Sequence, residues 1–201
     1  MCHKVIRLRR LPRRDLLRRN SVDTRFDRTR IVACWANLGD GDVESDGMEK
    51  SSRHAKITGD FGEALVLYWL SRSGFECARL DHTGIDLIAK RPRSEERLGI
   101  SVKSRSRSPG TETASVNIGR PEDFAKVAAA CSAFQCVPYF AIVVDAAPRI
   151  SVFLLSKEHL ECLYPGRTGL VAWSMSPHRV RQYMADASIR RLEFRIESDN
   201  W

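Results

Sequence analysis

Two short apolar runs, each broken by a single charge, constrain this chain more than any other feature. Ile85-Asp86-Leu87-Ile88-Ala89 and Gly99-Ile100-Ser101-Val102-Lys103 read as strands whose other residues suit burial. A charge inside such a strand is costly unless it is paired, hydrogen-bonded or bound to a metal. Side chains alternate along a strand, so Ser101 and Lys103 share one face and Val102 takes the other. If the two strands pair as a hairpin, Asp86 approaches the Ser101/Lys103 face.

The neighbouring pattern supplies the rest of a domain. Ile57 to Ser73 predicts a helix with Phe61, Ala64, Leu65, Tyr68 and Trp69 on one side and Gly74 as its stop. Val66, Leu67 and Leu70 are apolar as well, which predicts cover on more than one face. Strands are expected over Phe75 to Leu80, Ile85 to Lys90 and Gly99 to Arg105, the last two joined by the turn-rich stretch 91–96. Pro121 to Phe134 predicts a second helix, with proline at its first position and Phe124, Val127, Ala128 and Cys131 as its stripe. Tyr139 to Val144 and Ile150 to Leu155 predict two further strands. A short helix from Ser176-Pro177 to about Ala187 and a strand from Arg191 to Ile196 complete the pattern. The order α-β-β-β-α-β-β predicts an α/β domain with a mixed sheet flanked by helices.

Composition narrows the partners. The 201 residues carry 33 Lys+Arg against 25 Asp+Glu, a formal net charge of +8 that leaves a polyanionic partner open. No apolar run approaches the roughly 18–20 residues needed to cross a bilayer, which excludes a membrane-spanning helix from the reading. The 6 cysteines contain no C-x-x-C pair, so a zinc ribbon is not expected; reduced thiols in a cytoplasmic protein are.

Residues 1–47 differ in composition from the rest of the chain. Eleven Lys and Arg crowd the first thirty positions beside Asp15, Asp23 and Asp27, and an acidic, glycine-rich stretch from Asn37 to Gly47 comes next. A solvated arm, a basic arm that tracks phosphate, and a chain that starts natively at Met48 are all compatible with it. Residues 48–160 are expected to form the core domain, and 161–201 an extension packing on it.

The chemistry comes from the charged strands. Glu63 lies in the first turns of the apolar first helix, ahead of Asp86 and Lys103. Carboxylates converging there would suit Mg²⁺ or Mn²⁺, hard cations that take oxygen ligands and keep several waters. Such an ion polarises a phosphodiester and acidifies an attacking water, while a nearby ammonium holds developing charge.

The order helix-Glu63, strand-Asp86, then Lys103 on the next strand resembles the PD-(D/E)xK nuclease superfamily, which includes restriction endonucleases and archaeal Holliday-junction resolvases. The resemblance spans roughly Thr58 to Leu155 and implies a restriction-endonuclease-like core, metal-dependent cleavage of duplex or branched DNA, and a possible homodimer. It implies Asp86 as the central metal ligand, Glu63 as the helix-borne acid and Lys103 as the catalytic lysine, with Gly84 as the small residue before the aspartate strand. Where the family has Glu, Asp or Gln, this chain has Ser101, a poorer ligand for Mg²⁺. A weakened site, an acid supplied from elsewhere with Glu63 nearest, and a catalytically inactive nucleic-acid-binding module of the same fold all remain open.

Arg105, Arg107 and Arg120 are the candidates for gripping nucleic-acid phosphate beside Lys103; an ordinary solvated surface accounts for the same charges equally well. Trp69 and Trp173 read as core residues. For Glu63 the competing reading is a helix residue facing solvent.

Overall fold

A computed structural model describes residues 50–165 and 169–196; the arm of residues 1–47 lies outside the described residues. The element order is α1 (His54–Arg72), β1 (Glu76–His82), β2 (Ile85–Lys90), β3 (Arg97–Ser106), β4 (Val116–Gly119), α2 (Pro121–Ala133), β5 (Val137–Ala146), β6 (Arg149–Ser156), α3 (Lys157–Leu163), β7 (Val171–Trp173), α4 (Pro177–Ala185) and β8 (Arg190–Arg195). Six strands form one sheet in the order β1-β2-β3-β5-β6-β8, and β4 pairs with β7 apart from it. All neighbours in the main sheet are antiparallel except β3 and β5, which run parallel from Leu98↔Val137 to Ser106↔Asp145. A parallel join needs a crossover, and α2 is its helix. The α/β class and the mixed, helix-flanked sheet expected from the sequence are those found.

Strand β5 shows how the sheet sits between its helices. Phe140, Ile142 and Val144 belong to an apolar layer shared with Phe124 and Val127 of α2, Leu160 of α3 and Tyr183 of α4. The alternate residues Ala141 and Val143 join Val66 and Leu70 of α1 in the opposite layer. A strand buried on both faces reads as a continuous apolar run, which is why 139–144 lacks visible alternation. Trp173 is fully buried, stacked on Tyr183 with ring centroids 3.9 Å apart, as its core reading requires. The phenols of Tyr183 and Tyr164 share a hydrogen bond of 2.9 Å, and burial pushes the Tyr183 hydroxyl's pKa up.

Several boundaries differ from expectation. α1 begins at His54, about a turn before the expected start at Ile57, because residues 54–56 add no periodic apolar signal. Its fully buried seam is Gly62, Val66 and Leu70, and Leu65, Leu67 and Trp69 are half-buried against the same layer. Of the expected stripe, Phe61 and Tyr68 point away, and with Ile57 they stand 42%, 54% and 54% exposed, so the cover is one broad side of the helix. The sequence pattern predicts neither β4 nor β7, since strands of four and three residues with a partner distant in sequence leave little local signal. α3 succeeds β6 without a loop: Ser156 ends the strand and accepts a hydrogen bond from the His159 N–H, capping the helix.

The α1 seam depends on a missing side chain. A Cβ placed on Gly62 would lie 1.7 Å from Ser104 Oγ and 2.8 Å from Ser104 Cβ. Only glycine lets the helix approach β3 so closely. Gly62→Ala is expected to lower unfolding free energy by about 1–3 kcal/mol through overpacking. Ser104→Gly in the same chain should recover part of that loss, read by urea denaturation.

Candidate active site

Asp86 stands where β2 and β3 part. Their pairing runs from Lys90↔Arg97 to Leu87↔Ile100 and ends there. Beyond that point Asp86 Oδ2 accepts the Val102 N–H at 2.6 Å, so a side-chain carboxylate replaces a ladder bond. The turn into β2 is made by Gly84 at φ +105°, where an added Cβ would lie 2.6 Å from the Lys126 carbonyl oxygen. Glycine is required there both for its backbone angle and for the contact with α2.

Ser101 and Lys103 lie opposite Phe140 and Ile142 of β5, whose side chains belong to the layer under α2. Paired residues of parallel strands project to the same side, so both face α2, as strand alternation predicts. The structure brings Asp86, Ser101 and Lys103 to one cavity of about 120 Å³, with Gly84 at its edge and Phe140 and Val127 among its walls. Asp123 and Lys126 from the first turns of α2 line it too. Neither is singled out by the sequence. An acid in a helix's first turn with a lysine three residues on is an ordinary surface pattern, and only the crossover returns that turn to the end of β3.

Asp123 is held at both oxygens. Oδ2 accepts the Arg120 N–H at 3.0 Å and Oδ1 accepts Lys126 Nζ at 3.1 Å. The Arg120 N–H, with Lys126 next and Lys103 to a lesser degree, holds the carboxyl below the usual carboxylate range. It is an anion at neutral pH.

Glu63 does not line the cavity. Its Oε2 accepts both Nε and Nη2 of Arg79, at 2.9 and 2.7 Å. Arg79 lies opposite Leu87, a residue of the α1-side layer. The guanidinium's pKa is raised by Glu63 foremost, with smaller contributions from Asp60 and Asp86. Arg79 therefore stands electrostatically between the helix acid and the strand acid.

The arginines divide. Arg105 and Arg120 are exposed, Arg105 donating from Nη1 to the Ser104 carbonyl. Arg107 Nη2 donates to the carbonyls of Ala114 and Ser115, at 2.8 Å each, and its Nε is buried without a partner. Burial lowers the Arg107 pKa, with Arg105 adding to the effect. This arginine ties its own loop together.

A larger cavity of about 750 Å³ opens at the other end of the central strands, past Leu98 and Tyr139, and contains none of Asp86, Lys103, Asp123 and Lys126. The small cavity has the chemistry. Among the described residues, no three or more His, Cys, Asp or Glu converge on a single metal position. The donors present are the Asp86 and Asp123 carboxylates, hard oxygens in one cavity. They fit a Mg²⁺ or Mn²⁺ ion that is completed by water and a substrate phosphate, since magnesium commonly takes one or two carboxylates with the rest of its shell from those sources.

No protein-family model matches the chain, and no curated protein matches it. Among solved structures it is similar to Hjc, a Holliday junction resolvase of the archaeal hyperthermophile Archaeoglobus fulgidus, at 19% identity and a TM-score of 0.37, over 49% of this chain and 71% of that one. A likeness of that size transfers no activity. The structure itself shows an α-β-β-β-α-β-β order in which β4 comes between β3 and α2. Among the described residues, no helix is long and apolar enough to cross a membrane.

The Asp86–Val102 bond separates a structural role for Asp86 from a chemical one. Asp86→Ala leaves a half-buried N–H without its acceptor and is expected to cost about 1–3 kcal/mol. Asp86→Asn keeps a carbonyl oxygen there and should cost less than about 1 kcal/mol. Equal losses in urea denaturation would show that the charge itself holds the fork.

Proposed function

We propose that this protein is a nuclease that hydrolyses phosphodiester bonds in duplex or branched DNA with Mg²⁺ or Mn²⁺. The observation that supports it is that Asp86 and Lys103, one from each of two paired core strands, open onto one cavity. A bound divalent ion would polarise the phosphodiester and lower the pKa of the attacking water. Asp86, whose Oδ2 also accepts the Val102 N–H, would hold that ion. The Lys103 ammonium orients the water and balances charge growing on the phosphorane oxygens. Ser101 is buried and serves as a hydrogen-bonding neighbour rather than an acid. Glu63 acts on the site through Arg79, which it holds in place.

Arg105 and Arg120 are the phosphate contacts of this reading, and Arg107 keeps the loop beside them folded. A homodimer would let two such sites cut two strands. The second reading is a binding module of the same fold, favoured by the serine at 101 and by the engagement of Glu63 with Arg79.

Cleavage of plasmid, linear and four-way-junction DNA with Mg²⁺, Mn²⁺ or EDTA distinguishes the two. Metal-dependent cutting that falls at least about 100-fold in both Asp86→Asn and Lys103→Ala, with folding intact, is the expected result. Salt-sensitive binding with no cutting in any metal would select the binding module. In either case, Arg105→Ala and Arg120→Ala should each reduce the slope of log affinity against log salt by about 0.9 on duplex DNA. An unchanged slope would remove that arginine from the interface.

A further inference from the structure

We infer that Asp123 supplies the second metal-facing acid that Ser101 leaves out, an assignment that rests on the metal-dependent nuclease reading. The site needs an oxygen donor on the α2 side of Asp86. On β3 the position facing that space is Ser101, short and buried. Glu63 is drawn to Arg79 and does not reach the cavity wall. Asp123 does, together with Asp86, Ser101 and Lys103.

Its placement comes from the crossover. A helix connecting two parallel strands runs back against them, so the first turn of α2 lies at the end of β3 that carries Lys103. One glycine lets that turn come close, and a second leaves room for its acid. Gly84 admits the Lys126 carbonyl against the start of β2, and at Gly119 a Cβ would lie 3.0 Å from Asp123 Cβ and 3.3 Å from its Oδ2. The carboxylate is fixed in direction by the Arg120 N–H on one oxygen and Lys126 on the other. An ionised carboxylate has about four lone-pair sites, so two bonds leave capacity for a cation. Lys126 would then exchange its bond to Asp123 for one to the substrate phosphate.

Mn²⁺ titration by calorimetry on the full chain tests this without relying on turnover. Asp123→Asn keeps a carbonyl oxygen for the Arg120 N–H, so α2 should retain its start, checked by thermal melting. The expected result is Mn²⁺ affinity at least about tenfold weaker in Asp123→Asn. Ser101→Glu added to that variant should return it to within about threefold of wild type, by restoring an acid to the strand position.

Unchanged affinity in Asp123→Asn, with Mn²⁺ lost in Asp86→Asn, would overturn the assignment and leave the nuclease reading standing. Weakening that Ser101→Glu fails to restore would overturn it as well, reducing Asp123 to a cap of α2. Loss of Mn²⁺ in Glu63→Gln but not in Asp123→Asn would return the role to the first helix. A wild-type chain that neither binds Mn²⁺ nor cuts DNA would remove both this assignment and the reading beneath it.

Discussion

The hydrogen bond from the Val102 N–H to Asp86 Oδ2 is the interaction on which the candidate site depends. It lets a carboxylate sit in a strand otherwise built for burial, because the charge meets a backbone donor that would itself lack a partner once the strands separate. The same bond opens the fork between β2 and β3 below Leu87↔Ile100. On the α2 side of this fork, Ser101 and Lys103 line a cavity with Asp86.

Glycines set how closely the helices approach the sheet. Gly62 brings α1 against Ser104 on one face, and Gly84 brings α2 to the other, with Gly119 beside the Asp123 side chain. The two glycines on the α2 side do different work. Gly84 meets a main-chain carbonyl, so no rotamer change can relieve a side chain there, whereas Gly119 clears room for the Asp123 side chain. The parallel pairing of β3 with β5 then orients α2, so that Asp123 and Lys126 of its polar side meet the lysine, with Val127 of the apolar stripe closing one wall. Packing and chemistry are thus divided along a single helix.

Much of this is legible in the chain. A lone acid and a lone lysine in two apolar strands identify the residues that must find partners, and the period of two places Ser101 and Lys103 on one face. The α/β order emerges from helix and strand patterns separated by turn residues. Asp123 is illegible for a physical reason: an acid in a helix's first turn satisfies the local N–H groups and dipole wherever that helix goes. Arg107 reads as a phosphate contact because charge density cannot distinguish an arginine facing solvent from one bonded to its own loop. The outer stripe of α1 reads as buried because apolar residues around a helix do not reveal which side the sheet covers.

By itself the sequence determined the class of fold, the main strands, and the two charges that could not be left unpaired in them, since these depend on local period and on the cost of burying a charge. The tertiary structure alone decided which acid faces Lys103, which arginines remain exposed, and where Glu63 is committed. Those outcomes rest on contacts between elements far apart in the chain. A parallel crossover returns Asp123 to the end of β3, and the packing of α1 across β3 and β1 delivers Glu63 to Arg79. No local propensity encodes either distance, because each is fixed by how closely backbones can approach once their side chains have been chosen.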